Sequence, residues 1–315
     1  MSDIKLFRLT QGHATELQGD ASDLEKPLQT LIEINLEQLL GIRFLATEYS
    51  TGKIHAGRID SLGLDENNCP VILEYKRSTG ESIINQGLYY MDWLMDHQAE
   101  FKLLVIEKLG QEASASIDWS APRLVCIAAD FTKFDAHAVQ QISRNIELIR
   151  YRLFGQELLL LEQANAPNAS NGFSAGAKNG KAVKNAADKE IGSSDKTYAE
   201  CVESISEPLK ELLASLEDYI ISLGDDVQKK ELKLYAAFKR LKNFTSVVIQ
   251  KNRLVLYLNL NPAQLNPIPT IARDVSQCGH WGTGDLELII SSSNDLEIAK
   301  PLILMAYEGR GLMNI

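Results

Sequence analysis

Residues 54–93 read IHAGRIDSLGLDENNCPVILEYKRSTGESIINQGLYYMDW. The pattern predicts a strand over 54–64, the turn-rich DENNCP, a second strand over Val71–Lys76, and a helix from Glu81 to about Met95. A turn centred near Asn67 sets Asp60 and Glu74 opposite each other on the two strands, with Cβ atoms about 5 Å apart. Glu74 and Lys76 are two residues apart, so they project to the same face. Two carboxylates and one ammonium then converge on a single point. Gln86 and Tyr90, four apart, share one face of the helix that follows.

Opposed carboxylates destabilise a sheet unless something positive lies between them. A hard divalent cation is one such partner. Magnesium takes oxygen ligands at roughly 2.0–2.1 Å and often uses one or two carboxylates plus waters. Bound there, it would hold a phosphate oxygen and acidify a water, with the Tyr75 carbonyl as a further ligand. Lys76 would hold the attacking water or stabilise charge building on phosphorus. The competing reading is a salt-bridged hairpin, because D…E-x-K is a short pattern. Context favours a site. The apolar run Val71-Ile72-Leu73 leads directly into Glu74, and Arg77 extends the charge at the strand exit.

Upstream, residues 4–9 alternate as a short strand, and polar sequence runs on to Glu25. A helix begins near Pro27, with Leu28, Ile32, Leu36, Leu39 and Leu40 along one side. Glu33 borders that stripe, Glu37 lies further round, and Gly41 is the expected stop. Phe44–Tyr49 reads as a strand. Downstream, 101–107 (FKLLVIE) and 123–129 (RLVCIAA) read as strands buried on both faces. A helix over 134–144 and strands over 147–154 and 157–162 complete an α/β domain. Residues 164–196, rich in Ala, Asn, Gly, Ser and Lys, read as a flexible linker. The remainder, 197–315, predicts a smaller α+β domain. It has a helix over 197–223 interrupted before Pro208, a hairpin about Lys251-Asn252, a strand over 286–291, and a last helix capped by Asn294.

The chain has 315 residues, 45% apolar and 23% charged, with a formal net charge of -10. That charge excludes a whole-surface polyanion binder and leaves room for a local basic groove. No apolar run approaches the roughly 20 residues of a membrane helix. The N-terminus lacks a signal-peptide pattern, so a cytoplasmic location without membrane contact is expected. Four cysteines are scattered singly, and Cys278-Gly-His280 lacks the other ligands of a zinc site.

The order of a helical glutamate, Asp60, Glu74-Tyr75-Lys76 and Gln86-Gly-Leu-Tyr-Tyr90 resembles the PD-(D/E)XK nuclease superfamily. It is similar to the DUF91 and NucS-type endonuclease domains, and to RecB-like nucleases with their Q-x-x-x-Y helix. The tail from about Tyr198, with LYAAFK and SSSNDLEIAKPLILMAYEG, resembles DUF5655. The resemblance implies a restriction-endonuclease-like mixed-sheet core over 1–163, the linker 164–196, and a DUF5655-like domain over 197–315. It implies Mg²⁺ or Mn²⁺ held by Asp60 and Glu74, with Lys76 as the catalytic lysine. Gln86 would position substrate or a metal-bound water, and Glu33 would be the helical glutamate, with Glu37 as its rival. Arg77 and Tyr90 would meet substrate. Ile59 stands where the motif often has proline, and Tyr89 stands where NucS-type helices carry arginine.

The expected function is therefore hydrolysis of phosphodiester bonds, in DNA, by an endonuclease whose second domain recognises substrate, a partner or a second copy in a homodimer. The alternatives are a nucleic-acid-binding or protein-interaction module that keeps the fold without useful catalysis. The five histidines are dispersed, and His55 lies closest to the hairpin. Gly279–Gly284 reads as a glycine-rich turn without P-loop spacing. Lys239, Arg240 and Lys242, beside Phe238 and Phe244, read as a solvated helix face next to two core aromatics, with nucleic-acid contact as the other possibility.

Overall fold

The computed structural model describes residues 4–21, 25–77, 83–164, 196–280 and 282–309, with Ile54 described by its backbone only. The linker expected over 164–196 lies almost wholly outside the described residues, as do Glu81 and Ser82 at the start of the expected helix. The chain divides into two units, 1–166 and 167–315.

The first unit opens with a hairpin of β1 (Leu6–Thr10) and β2 (His13–Leu17), then α1 (Glu25–Ile34) and α2 (Leu36–Leu40). Next come β3 (Ile42–Ser50), α3 (Gly52–His55), β4 (Arg58–Asp65), β5 (Pro70–Lys76), α4 (Ile83–Asp96), α5 (Gln98–Leu109) and α6 (Gln111–Ala115). The unit closes with β6 (Arg123–Ala128), α7 (Lys133–Gln141), β7 (Asn145–Phe154) and β8 (Leu158–Gln163). The sheet order is β3-β4-β5-β6-β7-β8. Strands β5, β6 and β7 run parallel and the outer pairings are antiparallel, which is the mixed α/β sheet expected. β6 is buried throughout and β5 up to Tyr75, as apolar central strands covered on both faces require.

Three local expectations are corrected. Residues 101–107 are not a strand but the middle of α5. Phe101 and Val105 are buried and Leu104 packs on the core, whereas Leu103 is 67% exposed. That is helical spacing, hidden in an apolar run short enough to pass for a strand. β4 begins at Arg58 rather than Ile54, because 52–55 form the helical turn α3. Thr51 closes this turn: its hydroxyl accepts the Gly57 N–H at 2.9 Å and donates to the Gly57 carbonyl at 3.0 Å. Finally, the polar stretch before Glu25 contains β2.

The turn end of the sheet is pinned by a buried ion triad. The Arg123 guanidinium donates to both Glu147 carboxylate oxygens (2.8 and 2.9 Å) and to Asp65 Oδ2 (3.0 Å). Asp65 also accepts the backbone N–H groups of Asn67 and Cys69, so the same carboxylate shapes the β4–β5 turn. The two neighbouring carboxylates hold the Arg123 pKa above its ordinary value against the desolvation that opposes it.

The second unit contains α8 (Tyr198–Ser204), α9 (Glu207–Ser222), β9 (Gln228–Glu231), β10 (Ala236–Lys239), β11 (Asn243–Gln250), β12 (Arg253–Leu258), β13 (Ala272–Asp274), β14 (Leu286–Ile290) and α10 (Ser293–Tyr307). Its antiparallel sheet, ordered β13-β14-β12-β11-β10-β9, shares one apolar core with the three helices. The helix break before Pro208 and the Lys251-Asn252 hairpin are found as expected. Lys239 is corrected: it ends strand β10 and is buried, so it does not lie on a solvated helix face. Phe238 and Phe244 are core residues. The last helix is capped by Ser292, whose hydroxyl accepts the Asp295 N–H, rather than by Asn294.

Removing one member of a buried ion cluster strands the others. Arg123→Met is therefore expected to lower unfolding stability by about 3–5 kcal/mol in chemical denaturation. Adding Glu147→Gln to that variant is expected to recover part of the loss.

Candidate active site

The β4–β5 ladder pairs Ser61 with Leu73, Leu62 with Ile72, Gly63 with Val71 and Leu64 with Pro70. One step further along, Asp60 stands opposite Glu74. There the carboxylates take over the backbone's hydrogen bonds. The Asp60 N–H donates to Glu74 Oε1 at 3.3 Å, and the Tyr75 N–H donates to Asp60 Oδ2 at 2.9 Å. From α4, the Gln86 amide donates to Glu74 Oε2 at 2.7 Å. Helix α4 approaches the sheet closely because Gly87 lies against Leu124, where a Cβ would collide with the leucine side chain.

Glu74 is 0% exposed. Desolvation, with the Asp60 charge beside it, pushes its pKa up to about 9. Desolvation also pushes Asp60 up to about 6, against the Tyr75 N–H that lowers it. The Lys76 charge acts in the opposite direction on both carboxylates. Its side chain is mostly covered, and its ammonium lies 3.9 Å from Glu25 Oε2 on α1. Asp60, Glu74, Lys76 and Gln86 are thus brought together.

The other expected site residues are placed differently. Ser61 and Tyr75 alternate to the sheet face opposite Asp60 and Glu74. Glu33 lies on that opposite side. It accepts from the Ser61 hydroxyl (2.6 Å) and the Gln29 amide (2.9 Å), and it touches neither carboxylate. Glu37 is exposed on α2. Tyr90 is buried behind the start of β4, where its hydroxyl accepts the Arg58 N–H at 3.2 Å and its ring fills the space left by Gly57. It positions the strand that carries Asp60. Arg77 is exposed at the strand exit, with its N–H donating to Glu25 Oε1. His55 packs against Tyr89 and His97.

Two residues near the site carried no sequence signal that singled them out. Buried Gln29 on α1 donates to the Asp60 carbonyl at 2.7 Å, clamping the strand from behind. A polar side chain inside the Leu28–Ile32 apolar stripe was its only trace. Glu48 on β3 lies close enough for its charge to raise the pKa of both Asp60 and Glu74. Among the described residues, no three His, Cys, Asp or Glu side chains gather as a metal cluster. Asp60 and Glu74 are a two-carboxylate set, which fits a cation that completes its shell with water. Cys278 and His280 find no third ligand, and His280 stacks on Tyr257.

Both raised carboxyls are protonated when the folded chain is most stable. Without metal, stability is fully present below about pH 4 and is lost as pH rises through 6 and towards 9. In EDTA, the Glu74→Gln variant should melt several degrees above the parent at pH 9, at about 2–4 °C per kcal/mol. The two should nearly coincide at pH 5. A thermal melt series over that pH range checks this.

Residues 199–309 match the family described as Domain of unknown function (DUF5655). Among solved structures, a repair endonuclease from Pyrococcus abyssi shows 19% identity over 42% of this chain and 49% of its own, with a TM-score of 0.28. A complex of EndoMS with double-stranded DNA shows 19% identity over 44% of this chain and 50% of its own, with a TM-score of 0.24. The chain spans about half the length of the solved structures it matches. No described helix is long and apolar enough to cross a membrane. An uncharacterized protein of Haemophilus influenzae is 31% identical over 311 residues, covering 97% of this chain and 100% of its own length. The chain belongs to the family of that Haemophilus influenzae protein along nearly its whole length.

Proposed function

We propose that the first unit is a metal-dependent nuclease of the PD-(D/E)XK type, hydrolysing phosphodiester bonds in DNA as an endonuclease. The observation that carries this reading is the opposition of Asp60 and Glu74 at the end of the β4–β5 ladder, with Lys76 on the same strand face as Glu74 and Gln86 hydrogen-bonded to it. Like charges in that relation are unfavourable unless a proton or a cation separates them. Asp60 and Glu74 would hold Mg²⁺ or Mn²⁺, which when bound supplies a Lewis acid at a phosphate oxygen.

The chain's own groups do the rest. Gln86 fixes the orientation of the Glu74 carboxylate. Gln29 and Tyr90 hold the backbone on either side of Asp60, through its own carbonyl and the Arg58 N–H. Lys76 holds the attacking water or stabilises charge building on the phosphate, and Arg77 meets the phosphate chain at the rim. A second reading, a DNA-binding module without useful catalysis, is favoured by one observation: the Glu74 carboxylate already accepts two hydrogen bonds from within the chain.

Supercoiled DNA incubated with Mg²⁺ or Mn²⁺ separates the two. Cleavage by the parent, lowered about a hundredfold or more in Glu74→Ala and in Lys76→Ala, is the expected outcome; that is the scale of losing one group that stabilises transition-state charge. Undiminished cleavage in both variants would sink the nuclease reading. DNA binding that survives EDTA, without cleavage, would establish the second.

A further inference from the structure

Beside Asp60 lies an ion cluster that the nuclease reading does not use. In the β3–β4 register Thr47 pairs with Ser61 and Tyr49 with Ile59, which sets Glu48 opposite Asp60. The Glu48 backbone is left-handed, with φ 49°. That is a disfavoured conformation for a residue with a side chain, and such strain gathers at functional sites. It places the carboxylate between two cations. Lys26 Nζ on α1 lies 3.0 Å from Glu48 Oε1, and Arg58 Nη1 on β4 lies 3.4 Å from Glu48 Oε2.

Both cations are exposed: 57% for the Lys26 side chain and 67% for Arg58. Both are also tied to the site. Arg58 and Asp60 are two apart on one strand and project to the same side. Lys26 donates to Gln29 Oε1 at 3.2 Å, and Gln29 in turn donates to the Asp60 carbonyl. An ammonium and a guanidinium converging on one carboxylate have the charge and donor geometry that a phosphate oxygen pair needs. Exposed ion pairs hold weakly in water, so a phosphodiester can displace the carboxylate at small loss.

We propose that Lys26 and Arg58 form a binding site for a backbone phosphate of DNA adjoining Asp60, and that Glu48 is the internal anion occupying it until DNA arrives. The proposal rests on the nuclease reading for its choice of ligand. It also answers how a chain of net charge -10 presents a local cationic contact.

The test is fluorescence anisotropy of a short fluorescein-labelled DNA duplex, in EDTA so that nothing is cut, over a range of salt. Glu48→Gln is expected to tighten binding by about three- to tenfold at low salt, by removing the competing anion. Glu157→Gln, an exposed carboxylate at the turn between β7 and β8, is expected to leave affinity unchanged. In a Lys26→Ala, Arg58→Ala background the gain from Glu48→Gln should vanish. The slope of log K against log salt should flatten there by about two, near 0.9 per phosphate lost. Arg58→Ala alone, which alters only an exposed side chain, should weaken binding. Equal gains for Glu48→Gln and Glu157→Gln, a gain that persists without both cations, or unchanged affinity in Arg58→Ala would each overturn the proposal. If the parent and Glu48→Gln both fail to bind DNA, the nuclease reading falls with it. Binding by the parent that Glu48→Gln and Arg58→Ala leave unchanged sinks the phosphate site alone.

Discussion

Glu74 is a carboxylic acid with no exposed surface, set opposite a second carboxylic acid on the neighbouring strand. Two like charges at that separation, out of water, repel by several kcal/mol even at an effective dielectric constant of about 20. A sheet tolerates such a pair only with a proton or a cation between them. The local structure is arranged around that condition. The side-chain oxygens accept the backbone N–H groups of Asp60 and Tyr75, and Gln86 completes the Glu74 carboxylate. A fold seeking only stability would place apolar residues here, as it does at Leu62 and Ile72 on the same strands.

The elements around the pair serve to hold it. β5 and β6 are buried, so the sheet gives the carboxylates a rigid floor. The Arg123–Asp65–Glu147 triad fixes the far end of the β4–β5 hairpin and with it the register that opposes Asp60 to Glu74. Helix α1 reaches the site through Gln29 and Glu25, and α4 through Gln86 and Tyr90. Three separate segments converge on the β4–β5 strand ends. That is the pre-organisation a reactive centre needs, and a surface ion pair does not.

Much of this was legible in the sequence, because the physics behind it is local. Turn chemistry in DENNCP set the hairpin register, and the alternation of strand side chains then set Asp60, Glu74 and Lys76 together. The helix face carrying Gln86 followed from 3.6-residue periodicity. What stayed hidden depends on distant partners. Gln29 serves a backbone carbonyl 31 residues away. Glu48 owes its position to a left-handed residue inside a strand. Glu33 has the right residue type on the right helix, but the rotation of α1 turns it towards Ser61 on the other sheet face. In FKLLVIE, composition suited a buried strand, and only the burial of Phe101 and Val105 at helical spacing decided otherwise.

The central claim is that Asp60 and Glu74 together are a divalent-cation site. Calorimetric titration of Mn²⁺ into the metal-free chain tests it most directly. The account predicts saturable binding that releases protons, since the carboxyls enter protonated, and that disappears in both Asp60→Asn and Glu74→Gln. Absence of binding by the parent chain, or binding that survives both substitutions, would contradict it.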